Sequence, residues 1–287
     1  MSTSARSVSR GTGLALVLAA AFVLVTGCAP GDQQGQPKPA GESAADRARK
    51  LPRVSPLPTP EPSASPSAPA PDVLAALPAE TAPLQVPSSA VAYAVRATGP
   101  SVAVHAGPEG RRTSTMRNPV PSGAPLTFLF VSRQGPWLEV LLPVEPNGSK
   151  GWVREQEVVV EAVPYRLDVR TADHEMDLYE SGALVRSFSV GIGKSGTPTP
   201  GGTFYLKELL QPPNPRGSYG PYAYGLSGFS QTLESFAGTD PVIGIHGTDD
   251  PSSIGRDVSA GCIRMRNSEI TELAKLLPLG TPVRILA

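Results

Sequence analysis

The sequence predicts a mainly β protein, in which a small β-barrel is followed by a second β-rich domain with one or two short helices. Three observations support this fold class. Short apolar runs alternate with polar residues and are separated by turn-forming clusters. A helical apolar stripe is present at one place in the chain, within residues 268–277. The 33 prolines are concentrated near the N-terminus, in a stretch that can form neither a helix nor a central strand.

The N-terminus reads as a targeting segment. Arg6 and Arg10 precede an apolar run over residues 14–25, which is short for a membrane span. Residues 25–28 resemble a bacterial lipobox, and this resemblance implies cleavage before Cys28 and a diacylglycerol thioether on it. We therefore expect residues 1–27 to be a lipoprotein signal peptide and the mature protein to be exported and lipid-anchored to the outer face of the bacterial cell membrane. The alternative is an ordinary signal peptide with an incidental cysteine.

Residues 28–88 are rich in Pro, Ala and Ser and poor in large apolar side chains. This composition favours an extended, disordered tether rather than a packed core. Such a tether could hold a folded domain away from its membrane and inside the cell wall.

The first β domain is predicted over residues 89–162. Trp137 and Trp152 lie in two of its runs and are expected in the core or at the barrel rim rather than in ligand stacking. The phrases around these tryptophans resemble bacterial SH3-like domains, so we expect an SH3-like barrel. Its predicted strands are 102–104, 126–131, 137–140 and 151–153, and its turn clusters are 107–110 and 146–148.

The second β-rich domain is predicted over residues 163–287. A hairpin turn is expected at Ser181-Gly182. A helix is expected over 268–277, with Asn267 or Ser268 as its cap and Pro278 as its end. The predicted strands are 165–170, 176–179, 184–190, 203–206, 222–226, 242–246, 262–265 and 282–286.

Composition argues against several classes of partner. The 25 Lys and Arg balance 25 Asp and Glu, and no block of like charge is present, so nucleic acid is not expected as a partner. With three histidines and no close Cys/His cluster, no metal site is expected either. His105 and His174 lie in turn-like polar surroundings and are expected to be solvated surface residues.

The cysteines suggest a nucleophile. If Cys28 is alkylated, Cys262 is a single free thiol in an oxidising compartment, and such a thiol calls for a chemical reason. His246 ends an apolar strand shortly before it and could serve as its base. If residues 262–265 are extended, Cys262 and Arg264 face one side and Ile263 the other. The guanidinium could then lower the thiol pKa or grip a substrate carboxylate.

Gly261 precedes the cysteine and allows a substrate carbonyl to approach the backbone closely. The Cys262 amide and a neighbouring N–H are therefore natural donors to an oxyanion. Read from spacing alone, Cys262 could also be an inert buried thiol.

These residues resemble the signature of the YkuD-type L,D-transpeptidase family, which pairs a His-Gly element with a Ser/Thr-x-Gly-Cys element. Residues 197–204, T-P-T-P-G-G-T-F, resemble a second signature of that family, and the likeness covers residues 164–287. It implies that Cys262 is the nucleophile, His246 the general base, and the Gly247 carbonyl the group that orients the imidazole.

By the same resemblance Ser259, Gly261 and Arg264 are expected to line the substrate site. One departure is visible, because Ala260 stands where many members have histidine. That position is not the presumed base, so the departure puts rate and substrate preference in question rather than the chemistry.

The resemblance implies a peptidoglycan L,D-transpeptidase that forms 3-3 cross-links. Cys262 would attack a tetrapeptide stem, release D-Ala and pass the thioester to an amine on a neighbouring stem. Carbapenem-type inhibitors would acylate the same thiol, and no cofactor is implied. The alternatives are an L,D-carboxypeptidase, a non-catalytic peptidoglycan-binding lipoprotein and a papain-like endopeptidase; in the last the cysteine generally precedes the histidine.

Overall fold

The computed structural model describes residues 55–56, 91–235 and 239–286. All of them belong to one compact unit of the chain. The predicted signal peptide, Cys28 and most of the predicted tether lie outside the described residues.

The described residues form eighteen strands, one α-helix and two short 3-10 turns, at Glu155–Glu157 and Pro251–Ser253. The helix is α1 (Asn267–Leu276). The strands are β1 (Ser55–Pro56), β2 (Ala92–Ala97), β3 (Ser101–His105), β4 (Arg112–Arg117), β5 (Thr127–Gln134), β6 (Trp137–Leu141), β7 (Lys150–Arg154), β8 (Val158–Val163), β9 (Tyr165–Arg170), β10 (Glu175–Glu180), β11 (Ala183–Ser189), β12 (Ile192–Gly193), β13 (Gly202–Gln211), β14 (Ala223–Phe229), β15 (Val242–His246), β16 (Asp257–Ser259), β17 (Ile263–Arg264) and β18 (Pro282–Leu286). The predicted mainly β class with a short helix is confirmed.

The first sheet has seven strands in the order β4-β3-β7-β6-β5-β2-β8. Successive residues of a strand point to opposite faces, so each strand directs every second side chain inward. The side chains that point inward here are aliphatic and aromatic. β4 and β8 are the two ends of this order, so hydrogen bonding does not close the sheet. The core of this sheet includes Val95, Val102, Phe128, Leu138, Val140 and Val153.

The second sheet runs β11-β10-β9-β18-β13-β14-β15-β17, and β1 also pairs with β13. The pairs β9 with β18 and β15 with β17 are parallel, and the other pairs are antiparallel. β12 and β16 form a separate parallel pair. The parallel pairing of β15 with β17 is the feature that builds the site described below.

β1 is an exception within the predicted tether. The backbone of Ser55 and Pro56 pairs with Gln211 and Leu210 of β13. The tether sequence therefore contributes a short strand to the second sheet, which its proline content had argued against. Proline is tolerated in a strand at an edge, where its missing N–H is not needed.

Helix α1 covers the second sheet with one apolar face. Ile270, Leu273 and Ala274 are buried, as the predicted stripe requires. The Tyr224 hydroxyl lies 3.0 Å from the Leu273 carbonyl oxygen and 2.9 Å from that of Leu277, so it satisfies the carboxyl end of the helix.

The predicted cap of this helix was wrong. Arg266 precedes the first turn, and its backbone N–H donates to Glu269 at 3.3 Å. Asn267 instead accepts a hydrogen bond from the Thr248 N–H at 2.8 Å. Its side chain thus ties the helix start to the loop after His246.

The two sheets are held against each other by direct contacts. Leu129 and Leu141 of the first sheet pack with Tyr205 of the second in one buried cluster. The Asn147 side chain donates to the Phe229 carbonyl at 2.9 Å and accepts from the Phe229 N–H at the same distance. Apolar packing and this two-bond link fix the first sheet on the second.

Two expectations about histidines also need correction. His105 lies in strand β3, and its Nδ1–H donates a hydrogen bond to the Gly110 carbonyl at 2.8 Å. Its ring lies 4.8 Å from that of Trp137. His174 does lie in a turn, but its Nε2 is 2.7 Å from Asp257 Oδ1. Both are partly buried and partnered rather than simply solvated.

Candidate active site

Strand register places the candidate catalytic residues on one face of the second sheet. Ile245 pairs with Ile263, and His246 pairs with Arg264, in the parallel β15–β17 pair. Ile245 and Ile263 are both 0% exposed and enter the core. Because side chains alternate along a strand, His246 and Arg264 point to the opposite face, and Cys262, two residues before Arg264, lies on that face beside them.

His246 is held in one orientation by the backbone. Its Nδ1 lies 2.6 Å from the carbonyl oxygen of Gly247. A carbonyl only accepts, so Nδ1 carries the proton and Nε2 of the neutral ring keeps its lone pair. Burial lowers the pKa of His246 to about 4, with the Gly247 hydrogen bond opposing and the positive charge of Arg264 adding to the shift. The imidazole is therefore neutral at pH 7 and able to accept a proton.

Cys262 sits beside Gly244 on the neighbouring strand. Burial raises the pKa of the Cys262 thiol, while a hydrogen bond from the Gly244 backbone and the charge of Arg264 lower it. A Cβ added to Gly244 would lie 4.0 Å from Cys262 Sγ, which places this position next to the sulfur, and 2.8 Å from the Tyr224 carbonyl oxygen, which is why glycine fits there. With a raised thiol pKa and a lowered imidazole pKa, the resting pair is a neutral thiol and a neutral imidazole.

The loop that leads into Cys262 is braced by Ser259. The Ser259 hydroxyl donates to the Cys262 carbonyl at 2.6 Å and accepts from the Gly261 N–H at 3.0 Å. Ser259 was expected to line the substrate site, but it is 2% exposed and contacts the loop backbone. It also occupies the Gly261 amide, which leaves the Cys262 amide as the candidate oxyanion donor in this loop.

Gly261 adopts a backbone conformation that favours glycine. Its φ is +118°, and an added Cβ would lie 2.9 Å from Ile243 Cδ1. The Thr199 hydroxyl donates to the Gly261 carbonyl at 2.9 Å and accepts from the Gly193 N–H at 2.9 Å. Thr199 belongs to the segment T-P-T-P-G-G-T-F, so this segment supports the cysteine loop.

Among the described residues, none of the His, Cys, Asp and Glu side chains gather in groups of three or more that could hold a metal ion. No helix in the described part of the chain is long and apolar enough to cross a membrane.

This chain is similar in sequence to known proteins. The family model for the YkuD L,D-transpeptidase catalytic domain matches residues 164–285. The YkuD protein of Bacillus licheniformis is 36% identical over 154 residues, which span 51% of this chain and 85% of that protein. Its counterpart in Bacillus subtilis is 33% identical over 151 residues, which span 50% of this chain and 84% of that protein.

This chain belongs to the L,D-transpeptidase family.

Solved structures of the family resemble it more distantly. An L,D-transpeptidase from Mycobacterium smegmatis shares 14% identity over 53% of this chain and 90% of that chain, with a TM-score of 0.35. L,D-transpeptidase 3 from Mycobacterium tuberculosis, solved with a faropenem-derived adduct, shares 12% identity over 50% of this chain and 76% of that chain, with a TM-score of 0.35. The family assignment rests on the sequence relatives.

One residue of the transpeptidase site was not found from sequence. Tyr219 lies in the loop 212–222, and its ring is 4.7 Å from the His246 ring, inclined by 54°. Burial raises the pKa of Tyr219, and the neighbouring Cys262 adds to the shift. Alternation and propensity carry no signal for which side chain of a loop reaches His246.

The same loop is anchored by close backbone packing. A Cβ added to Gly220 would lie 2.6 Å from Gly247 Cα and 2.3 Å from Asn267 Oδ1. The Gly247 N–H donates to the Tyr222 carbonyl at 3.3 Å. Loop, His246 strand and helix start therefore meet at a point where only small backbone groups fit.

Arg264 borders the thiol and the imidazole. Its Nε is buried and has no hydrogen-bond partner within the described residues. The positive charge of Arg264 nevertheless acts on both groups, because it lowers the pKa of Cys262 and the pKa of His246.

Proposed function

We propose that this chain is a peptidoglycan L,D-transpeptidase that forms 3-3 cross-links through a thioester on Cys262. The observation that carries the proposal is the common face of Cys262 and His246, with the imidazole held through Nδ1 by the Gly247 carbonyl. This leaves Nε2 as the proton acceptor. A nucleophile, its base and a group that orients the base are the parts that cysteine acyl transfer requires.

The first half-reaction acylates the enzyme. The Cys262 thiol gives its proton to His246 Nε2, and the sulfur attacks the carbonyl carbon of the third residue of a tetrapeptide stem. The C–N bond to the terminal D-Ala breaks, and His246 returns the proton to the departing amine. The product is a thioester on Cys262 and free D-Ala.

The second half-reaction transfers the acyl group. An amine on a neighbouring stem attacks the thioester carbonyl, loses a proton to His246 and forms the new amide. The C–S bond breaks, and the proton returns to Cys262. If water attacks instead, the product is a shortened stem and the activity is that of an L,D-carboxypeptidase.

The remaining residues of the site have supporting roles in this proposal. The Cys262 amide donates to the developing oxyanion, and Gly261 leaves the approach to it open. Arg264 is partly exposed and uses its guanidinium to hold a substrate carbonyl or carboxylate. Ser259 and Thr199 keep the loop in the conformation that presents the thiol.

We also propose that the protein is exported and lipid-anchored through Cys28, with residues 28–88 reaching from the membrane into the cell wall. The N-terminal sequence supports this location. Expression of the full chain and of the Cys28→Ser variant, followed by membrane fractionation and mass analysis of the N-terminal peptide, tests it. A diacylglycerol-modified Cys28 in the membrane fraction is expected, and an unmodified, released protein contradicts it.

The first test of the catalytic proposal is intact mass after incubation with a carbapenem. The drug contains a strained lactam amide, so attack by Cys262 opens the ring and adds its whole mass as a thioester. The chain from residue 29 onward, which keeps the tether and β1, is compared with its Cys262→Ala and His246→Asn variants. We expect a stoichiometric adduct on the unmodified chain, none on Cys262→Ala, and slow formation on His246→Asn.

A second arm uses tetrapeptide stems and follows D-Ala release and cross-linked dimers. Dimers identify a transpeptidase, and shortened monomers alone identify a carboxypeptidase. A folded, reduced chain that forms neither an adduct nor a product contradicts the proposal and points to a non-catalytic wall-binding lipoprotein.

A further inference from the structure

A row of four residues crosses the second sheet on the face that carries the thiol. Glu208 of β13 pairs with Gly225 of β14, and Gly225 pairs with Gly244 of β15. Gly244 in turn lies beside Cys262. The row therefore begins with a carboxylate, passes over two glycines and ends at the nucleophile.

The next row on the opposite face confirms this assignment of faces. Leu209, Tyr224, Ile245 and Ile263 are paired in the same way and are all buried in the core. Since successive residues of a strand alternate, the row with Glu208 and Cys262 faces away from the core.

The Glu208 side chain lies over Gly225 and extends toward Cys262. A Cβ added to Gly225 would lie 2.6 Å from Glu208 Oε1 and 2.8 Å from its Cγ, so glycine is needed there for the side chain to lie flat. Neighbouring strands are about 4.8 Å apart, which puts the carboxylate on the order of 8 Å from the sulfur. Only Gly244 stands between them in the row.

A bulge brings a positive charge to the same place. The β13–β14 register shifts between Leu206 and Glu208, so Lys207 is an extra residue on β13. Lys207 Nζ lies 3.4 Å from Glu208 Oε1, and the two side chains are only 21% and 14% exposed. The bulge thus brings the charged groups of Lys207 and Glu208 side by side. They form a partly buried ammonium–carboxylate pair at the end of the row opposite Cys262.

We infer that Lys207 and Glu208 select the third residue of the donor stem by the charged end of its side chain. This inference rests on the proposed function. The carbonyl that Cys262 attacks belongs to that third residue, and a side chain of three or four methylenes reaches roughly 7 Å from it, at about 1.5 Å per bond. Such a side chain lies across Gly244 and ends at the pair, whose carboxylate lies over Gly225.

The chemistry of the pair specifies the class of residue. Glu208 accepts from an ammonium group, and Lys207 donates to a carboxylate. A side chain that ends in both groups, as in a diamino dicarboxylic acid, satisfies both partners. A lysine-type side chain satisfies only Glu208. A neutral aliphatic side chain satisfies neither partner and places an apolar group against the charged pair.

The experiment compares three tetrapeptide donors that differ only at the third side chain: ammonium plus carboxylate, ammonium alone, and neutral. D-Ala release by the chain from residue 29 onward gives kcat/KM for each. We expect kcat/KM to be highest for the donor with both groups, lower for the donor with the ammonium alone, and lowest for the neutral donor. Glu208→Gln should lower the preference for the ammonium donors over the neutral donor about tenfold or more, the usual weight of a charge-assisted hydrogen bond.

Lys207→Met should lower the preference for the donor with the carboxylate over the lysine-type donor and leave the other ratio unchanged. Glu161→Gln, which removes an exposed carboxylate paired with Arg96 in the first sheet, is the matched control and should change neither ratio. Circular dichroism verifies that each variant is folded.

The ratios separate selection from a structural role. If Glu208→Gln lowers kcat/KM for all three donors equally, or if the unmodified chain turns over the three donors equally, the inference is wrong while the proposed function stands. If the unmodified chain releases D-Ala from none of them and forms no carbapenem adduct, the proposed function fails, and this inference fails with it.

Discussion

The ring of Tyr219 lies 4.7 Å from the imidazole of His246, inclined by 54°. It comes from the loop 212–222, while His246 ends a strand of the sheet. The contact adds to the packing around His246, whose burial lowers its pKa to about 4. We therefore expect the protonation state of His246 to depend on this loop residue.

Replacement of Tyr219 tests that dependence. We expect Tyr219→Ala to raise the pKa of His246 from about 4 toward its ordinary value, because water reaches the ring. The rate of carbapenem acylation should fall by several-fold, since a ring contact of this kind contributes about 1 kcal/mol. NMR titration of the imidazole and stopped-flow acylation measure the two effects.

Tyr219→Phe is the matched variant because it keeps the ring and removes the hydroxyl. We expect its His246 pKa to match that of the unmodified chain. If the alanine and phenylalanine variants titrate alike, the ring does not shield the base.

The buried neutral imidazole makes the stability of the fold depend on pH. The pKa of His246 is near 6.5 when unfolded and about 4 when folded, so the unfolded chain binds its proton more tightly. This contribution is fully present above pH 6.5 and is lost as the pH falls toward 4. Its full size is on the order of 3 kcal/mol.

Urea unfolding at pH 7.5 and at pH 4.5 measures it. The unmodified chain should lose more free energy of unfolding over this range than His246→Asn, which lacks the titrating ring. Equal losses in the two proteins would show that His246 remains accessible to protons in the folded state.

Gly261 tests the geometry of the cysteine loop. We expect Gly261→Ala to lower the free energy of unfolding by about 1–3 kcal/mol, because φ is +118° and the new methyl group would lie 2.9 Å from Ile243 Cδ1. Carbapenem acylation should slow as well. Gly196→Ala is the control, since nothing lies within 4 Å of a Cβ there. Similar losses in both variants would be inconsistent with a strained backbone at Gly261.

Ser259 distinguishes a bracing role from a substrate contact. Ser259→Ala removes one bond to the Cys262 carbonyl and one from the Gly261 amide. We expect kcat for D-Ala release to fall with little change in KM, together with about 1–3 kcal/mol of stability. A rise in KM at constant kcat and unchanged stability would instead support the prediction that Ser259 lines the substrate site.

Two buried tyrosines of the second sheet should respond oppositely to loss of the hydroxyl. The Tyr205 hydroxyl is buried without a hydrogen-bond partner within the described residues. We expect Tyr205→Phe to be neutral or to stabilise by about 1–2 kcal/mol. Tyr224→Phe removes the contacts to the Leu273 and Leu277 carbonyls and should destabilise by a similar amount. The thermal unfolding midpoints of both variants, compared with that of the unmodified chain, test this prediction. A lower midpoint for Tyr205→Phe would mean that the Tyr205 hydroxyl has an acceptor.

Much of the fold could be read from alternation. The runs at 165–170, 242–246 and 282–286 coincide with β9, β15 and β18, because half-buried strands repeat every two residues. β4 was missed since R-T-S-T-M-R has no apolar alternation; it is an edge strand whose side chains are mostly exposed. β12 and β16 are too short to produce a pattern.

The sequence by itself determined which residues carry the proposed chemistry of the site. Cys262 and His246 were predicted as nucleophile and base from their residue types and order, and the resemblance to the L,D-transpeptidase family added the Gly247 carbonyl as the orienting group. Local alternation also predicted that Cys262 and Arg264 share a face opposite Ile263. These are short-range properties of the chain, and they need no knowledge of distant neighbours.

Only the tertiary structure decided what surrounds that chemistry. It placed Tyr219 on the base, turned Ser259 into the loop, and aligned Glu208 with Cys262 across two intervening glycines. Each relation joins residues from different strands or loops. Strand order and register set them, and because register depends on packing of the whole sheet, no local pattern in the sequence encodes it.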